Sequence, residues 1–151
     1  YPQRRYERGA PFAIDHPLGA VMLIRWKAWE QVGALDTGFF MYCEEVDWCM
    51  RARRLGWRCM CVPQAVVTHL GGQSAMQFRD AMYVALWKSR KRLFDKHYTR
   101  AYQWAAGQIA RLGMCCRTKL ALDARASGEM TAAEAEGRLN AYRQVKELFG
   151  G

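Results

Sequence analysis

Gly33-Ala34-Leu35-Asp36-Thr37-Gly38-Phe39-Phe40-Met41-Tyr42-Cys43-Glu44-Glu45-Val46-Asp47 sets an aromatic-rich loop directly before a helix that opens on two adjacent carboxylates. Apolar rings beside clustered acids can form a cleft that holds one carboxylate near a hydroxyl group, where it can act as a general base. Asp36-Thr37-Gly38 is a turn signal. Downstream, the periodicity predicts a helix over 44–55, with Glu44, Asp47, Arg51 and Leu55 along one side and Val46, Cys49, Met50 and Arg53 facing elsewhere. Asp47 and Arg51 stand at i and i+4, the spacing of a helical ion pair, and Gly56 ends the helix. Upstream, Trp26 to Val32 reads as a short helix stopped by Gly33.

Farther out, Tyr1 to Pro17 is polar, basic and proline-containing, and is expected to be loop or arm. Ala20-Val21-Met22-Leu23-Ile24 is a short apolar run suited to a buried strand. Trp57 to Val62 alternates, with Trp57, Cys59 and Cys61 on one face, and Pro63 closes it; Ala65 to Leu70 is another strand candidate. Past about residue 76 the pattern turns helical. Helices are expected over 78–97, over 102–116, and from Thr131 to Phe149. Thr131-Ala132-Ala133-Glu134 fits a capping box, and Ser127-Gly128 separates the last helix from its predecessor. The expected class is α/β, in the α+β sense: a mixed half, residues 1–76, followed by a helical half, residues 77–151. There is no internal repeat.

A chain of 151 residues that is 51% hydrophobic can bury a core as one domain. It starts at Tyr1 without an initiator Met, so an excerpt of a longer protein is expected. No apolar run approaches the roughly 20 residues of a membrane-spanning helix, and no signal-peptide pattern is present. The six cysteines show no disulfide-framework or CxxC spacing, so reduced thiols and a cytosolic setting are expected. The net charge of +9 is uneven: Lys88 to Lys119 holds nine cations against the single acid Asp95, and Arg4, Arg5 and Arg8 form a smaller basic arm. Such a surface attracts the phosphates of a nucleotide sugar, an anionic membrane or a nucleic acid, and charge alone does not choose among them.

Each candidate residue also has a plain structural reading. A Glu pair at a helix start is stabilised by the helix dipole and is often only a solvated cap. What favours chemistry is the company of Phe39, Phe40 and Tyr42 before it and a lone His69 after it. His69 alone reads as a packed or capping histidine unless carboxylate partners arrive from elsewhere. Gly71-Gly72 with Ser74 is a weak phosphate-loop signal. Cys59-x-Cys61 and Cys115-Cys116 lack the spacing of structural zinc. Trp87, Phe94, Tyr98, Tyr102 and Trp104 interleave with cations, which suits either base stacking or the packed stripe of helices with cations at the rim.

Taken in order, the run Asp15 to Arg25, Val32 to Asp36, Phe39 to Tyr42, Glu44 to Arg51, Gly56-Trp57, Val62-Pro63, His69 and Ser74 resembles the C-terminal part of a family 2 glycosyltransferase. The kind is GT-A-fold and bacterial rhamnosyltransferase-like. The likeness covers residues 15–74, about half the chain. It implies inverting transfer of a sugar from a nucleotide-diphosphate sugar to a hydroxyl acceptor, a polysaccharide or lipid-linked glycan. By the same likeness Glu45, with Glu44, is the catalytic pair. Asp15, Gly19, Phe40 and Tyr42 lie at the acceptor side, Ser74 at the diphosphate, and His69 near a divalent metal, Mg or Mn. Glu45 stands where the family more often has Asp. Asp47 is read as Arg51's partner rather than a reacting group. The family's N-terminal nucleotide-binding half, with its Asp-x-Asp motif, is absent from these residues, so the isolated chain is expected to be inactive and to bind no metal by itself. A cytoplasmic location at the inner face of a membrane is expected, with peripheral membrane contact through the basic helices. The alternatives are a basic non-enzymatic nucleic-acid-binding module and an assembly module whose C-terminal helices cover surface exposed by truncation or form a homodimer; nucleic acid is not the expected partner.

Overall fold

The computed structural model describes residues 2–70 and 78–150, and the chain divides into two units, Tyr1–Gly71 and Gly72–Gly151. The first unit contains α1 (Gln3–Glu7), β1 (Phe12–Ile14), α2 (Trp26–Val32), α3 (Glu44–Arg54) and β2 (Cys59–Cys61). The strands pair antiparallel, with Phe12 opposite Cys61, Ala13 opposite Met60 and Ile14 opposite Cys59. Phe12, Ile14, Cys59 and Cys61 turn inward and are half-buried, while Ala13 and Met60 are exposed, the period-2 pattern of a one-sided ladder. The side-chain amide of Gln64 donates to the Gly9 carbonyl and ties the ends of this ribbon together.

Three local expectations are corrected here. The N-terminal arm is not all loop, because it supplies both α1 and β1. Ala20–Ile24 is not a strand of a ladder. Met22 and Ile24 pack on the first unit's core while Leu23 is 101% exposed, so the alternation is real but has no pairing partner among the described residues. Val66, Val67 and Leu70 are exposed and no strand forms over 65–70, since β-branched composition without a surface to pack on does not make one.

The core of this unit is Ala28 from α2 with Trp48, Cys49 and Ala52 from α3, flanked by Met22, Ile24, Val32, Trp57 and Cys59. A polar clasp beside it fixes α3 to the end of α2. Arg51 Nε donates to Asp47 Oδ2 at 2.9 Å, Nη1 to the Val32 carbonyl at 2.7 Å and Nη2 to the Ala34 carbonyl at 2.8 Å. Trp48 Nε1 donates to the Gly33 carbonyl at 2.8 Å. Gly33 sits at φ 81, which lets the chain reverse while its neighbours' carbonyls face α3. The C-terminal carbonyls of a helix lack partners of their own, and here α3 supplies them.

The second unit packs α4 (Arg79–His97), α5 (Arg100–Ala126) and α6 (Ala132–Leu148) around Val84, Met114, Ala121, Met130, Ala135, Ala141, Tyr142 and Val145. Helix α5 runs ten residues past the expected end at Cys116, because residues 117–126 contain no Gly or Pro to stop it and are mostly good helix formers. Tyr83 meets Tyr142 edge-on at 5.7 Å, and Trp87 meets Phe149 at 5.9 Å. Two glycines permit close approach. A methyl at Gly107 would lie 3.3 Å from the Phe149 ring, and one at Gly137 would lie 2.6 Å from Asp80 Oδ2. The aromatic stripe is only partly core: Trp87 packs on the cluster, whereas Trp104 is largely exposed.

Asp47 is fully buried, so removing Arg51 takes a paired cation away from a desolvated carboxylate. Arg51→Ala is expected to cost about 3 kcal/mol in urea-induced unfolding; a loss below about 1 kcal/mol would mean that the pair behaves as a solvated surface bridge. At α6 the capping box forms as expected, and the Thr131 hydroxyl, then its backbone amide, holds the Glu134 carboxyl below its ordinary value of 4.5. A lowered folded value means the cap's charge contribution is complete above 4.5 and fades as pH falls through the folded value. The melting-temperature gap between wild type and Glu134→Ala should therefore be open at neutral pH and close under acid, measured by circular dichroism across a pH series. A gap that persists unchanged in acid would rule out this carboxylate as its source.

Candidate acceptor-side acid site

The turn leading into α3 is strained. Tyr42 at φ 67 and Cys43 at φ 68 are the non-glycine residues with positive φ among those described, a conformation that costs roughly 1–3 kcal/mol per residue. Neighbouring contacts hold it. Phe39 is buried, its amide donates to the Asp36 carbonyl at 3.1 Å, and Asp36 Oδ1 accepts from the Gly38 amide at 2.8 Å. The Cys43 carbonyl accepts from the Asp47 amide at 2.9 Å, which starts the helix at once. Phe40 is left 78% exposed on the loop, and Tyr42 is half-buried.

The three acids of the first turn of α3 have different surroundings. Asp47 is buried and engaged by Arg51. Glu44 and Glu45 are half-buried, and neither makes an ion pair or hydrogen bond among the described residues. In each the Oε2 atom is sealed from solvent and unpartnered there. Such acceptors are uncommon, because an unmet buried oxygen carries a desolvation penalty. Gly19 closes over both: a methyl at that position would touch Glu45 Cδ at 3.5 Å, Glu45 Cγ at 3.6 Å and Glu44 Oε1 at 3.7 Å. The structure thus brings Gly19, Glu44 and Glu45 together, with Tyr42 two residues before α3 and Phe40 two residues farther up the loop.

Arg53 Nη2 donates to the Asp15 carbonyl at 2.7 Å and lies 3.1 Å from Asp15 Oδ1, so Asp15 fastens its segment to α3. Neither Arg53 nor Trp48 was given a positioning role by the sequence, because their partners lie 38 and 15 residues away, beyond any local spacing signal. Cys49, in the next turn, has its thiol pushed up to about 12 by burial, by the Cys59 sulfur and by the negative charge of Glu45, so it stays protonated. None of the six cysteines is disulfide-bonded.

His69 is exposed and makes no hydrogen bond or ion pair among the described residues. Ser74 lies outside the described residues. A divalent ion needs several oxygen or nitrogen donors at one point, and among the described residues no three His, Cys, Asp or Glu side chains converge to supply them. The site as described does not fit a metal. Among the described residues no helix is long and apolar enough to cross a membrane.

Comparison with known proteins meets this geometry. The chain is 49% identical over 41 residues to the low-salt glycan biosynthesis hexosyltransferase Agl10 of Haloferax volcanii, covering 27% of this chain and 13% of that one. It is 38% identical over 56 residues to rhamnosyltransferase WbbL of Escherichia coli, covering 37% and 21%. It is 43% identical over 51 residues to N-acetylglucosaminyl-diphospho-decaprenol L-rhamnosyltransferase of Mycobacterium tuberculosis, covering 34% and 17%. These matches therefore span between 13 and 21% of the relatives' own length. No solved structure matches the chain. A family model matches residues 6–132, most of the sequence and both acids of the pair included, and the chain belongs to glycosyl transferase family group 2.

Proposed function

We propose that this chain forms the acceptor side of a sugar-transferring enzyme, with Glu45 as the base that activates the acceptor hydroxyl. The observation that carries the reading is the contrast within one helical turn. Asp47 is engaged by Arg51, whereas Glu44 and Glu45 keep carboxylates with no cation or donor among the described residues. In the proposed step the acceptor O–H gives its proton to Glu45 as its oxygen bonds to the anomeric carbon. The bond from that carbon to the diphosphate oxygen breaks on the opposite face, and the nucleoside diphosphate leaves with the electron pair. Holding the acceptor in line supplies the rest of the rate.

Family membership and the relatives' names, a hexosyltransferase and two rhamnosyltransferases, support a hexose or deoxyhexose donor; the mycobacterial name supports a lipid-linked acceptor. Family membership also favours a GT-A-type α/β domain of which this chain supplies the C-terminal half. The unpaired, half-packed segment 20–24 fits a domain whose sheet is completed by residues beyond this chain. Turnover is therefore assigned to the complete protein, and a cytoplasmic site of action is the proposed setting. No step is routed through a metal.

In the complete protein, Glu45→Gln should lower kcat by about 100-fold or more while the KM for donor changes little. Full turnover in that variant, with its fold intact by circular dichroism, would remove Glu45 from the mechanism.

A further inference from the structure

Helix α5 carries two faces of opposite use. One buries Gly107, Ala110, Met114 and Ala121 in the second unit. The other holds Trp104, Ile109, Leu112 and Leu120, each between 66 and 71% exposed, with the exposed thiols of Cys115 and Cys116 among them. At 3.6 residues per turn these positions share one broad sector along a 27-residue helix about 40 Å long. Exposed Arg111 falls at the edge of that sector and exposed Lys119 within it, and the helix's one acid, Asp123, also lies within it. Arg117 turns away, over the Tyr83 ring at 5.8 Å.

We propose that this face of α5 is a peripheral membrane-binding surface whose apolar side chains enter the headgroup boundary and whose cations meet anionic phospholipids. An apolar stripe edged by Lys and Arg is the pattern of a helix that lies in the interface plane. The helix is not apolar enough to cross a bilayer. A second copy of this chain is a poorer occupant, because each face carries two cations against one acid and two such faces repel overall. Lys119 can extend its charge past its own apolar stem to the headgroups.

The test is co-sedimentation of the full chain with vesicles of equal parts phosphatidylglycerol and phosphatidylcholine, against phosphatidylcholine alone. Binding to the anionic vesicles and weak binding to the neutral ones is expected. Arg111→Glu with Lys119→Glu, and separately Ile109→Ser with Leu112→Ser, should each reduce partitioning by about tenfold or more. All four positions are solvent-facing, and unchanged circular dichroism verifies the fold. Maleimide labelling of Cys115 and Cys116, resolved by peptide mass spectrometry, should be fast in buffer and slowed by the anionic vesicles. Equal binding to both vesicle types, no binding, slow labelling without lipid, or a dimer in buffer that either double variant dissolves would each overturn the proposal. Glu45→Gln should bind vesicles as wild type does, so a failed base assignment leaves this surface standing and the reverse also holds.

Discussion

A carboxylate buried completely inside a small unit is tolerated only with a cation and donors close by, and Asp47 meets that condition through Arg51. The guanidinium then uses its remaining donors on the Val32 and Ala34 carbonyls, while Trp48 takes Gly33 between them. Three successive carbonyls at the end of α2 are thereby bound to a single turn of α3. Rotation of α3 about its axis would break all of these bonds together. The direction in which its first residues face is consequently set by the clasp, not by the loop that precedes them.

That constraint gives the acid pair its meaning. Glu44 and Glu45 project from a helix end that is held from below by Asp47 and Arg51 and approached from the side by Gly19. The left-handed turn at Tyr42 and Cys43 adds a cost that only a well-anchored neighbourhood sustains. Cys49, sealed behind the pair with its thiol protonated, adds no competing charge. Support and the proposed chemistry are thus divided among acids that sit within four residues of one another.

Much of this was legible where the physics is local. Asp47 and Arg51 at helical spacing, Gly33 as a stop, and the Thr131 to Glu134 box all depend on residues a few positions apart, and all form as read. What was not legible depends on partners. Ala20 to Ile24 and Ala65 to Leu70 have strand composition, yet a strand exists only against another strand, and composition does not report whether one is present. Phe12 to Ile14 became a strand because Cys59 to Cys61 offered it a ladder across more than forty residues. The resemblance put Gly19 at the acceptor side, but its closeness to both carboxylates was not legible, since it rests on how the segment before α2 is pulled in by Met22, Ile24 and the Asp15 to Arg53 bond.

The bare α-carbon of Gly137 beneath the Asp80 carboxylate has a consequence for how α4 and α6 find each other. With no side chain there, the two helices interlock at one point along their length, in the manner of a notch receiving a peg. A side chain at 137 would force the Asp80 carboxylate to swing aside, so the missing β-carbon lets α4 and α6 keep their spacing without that adjustment.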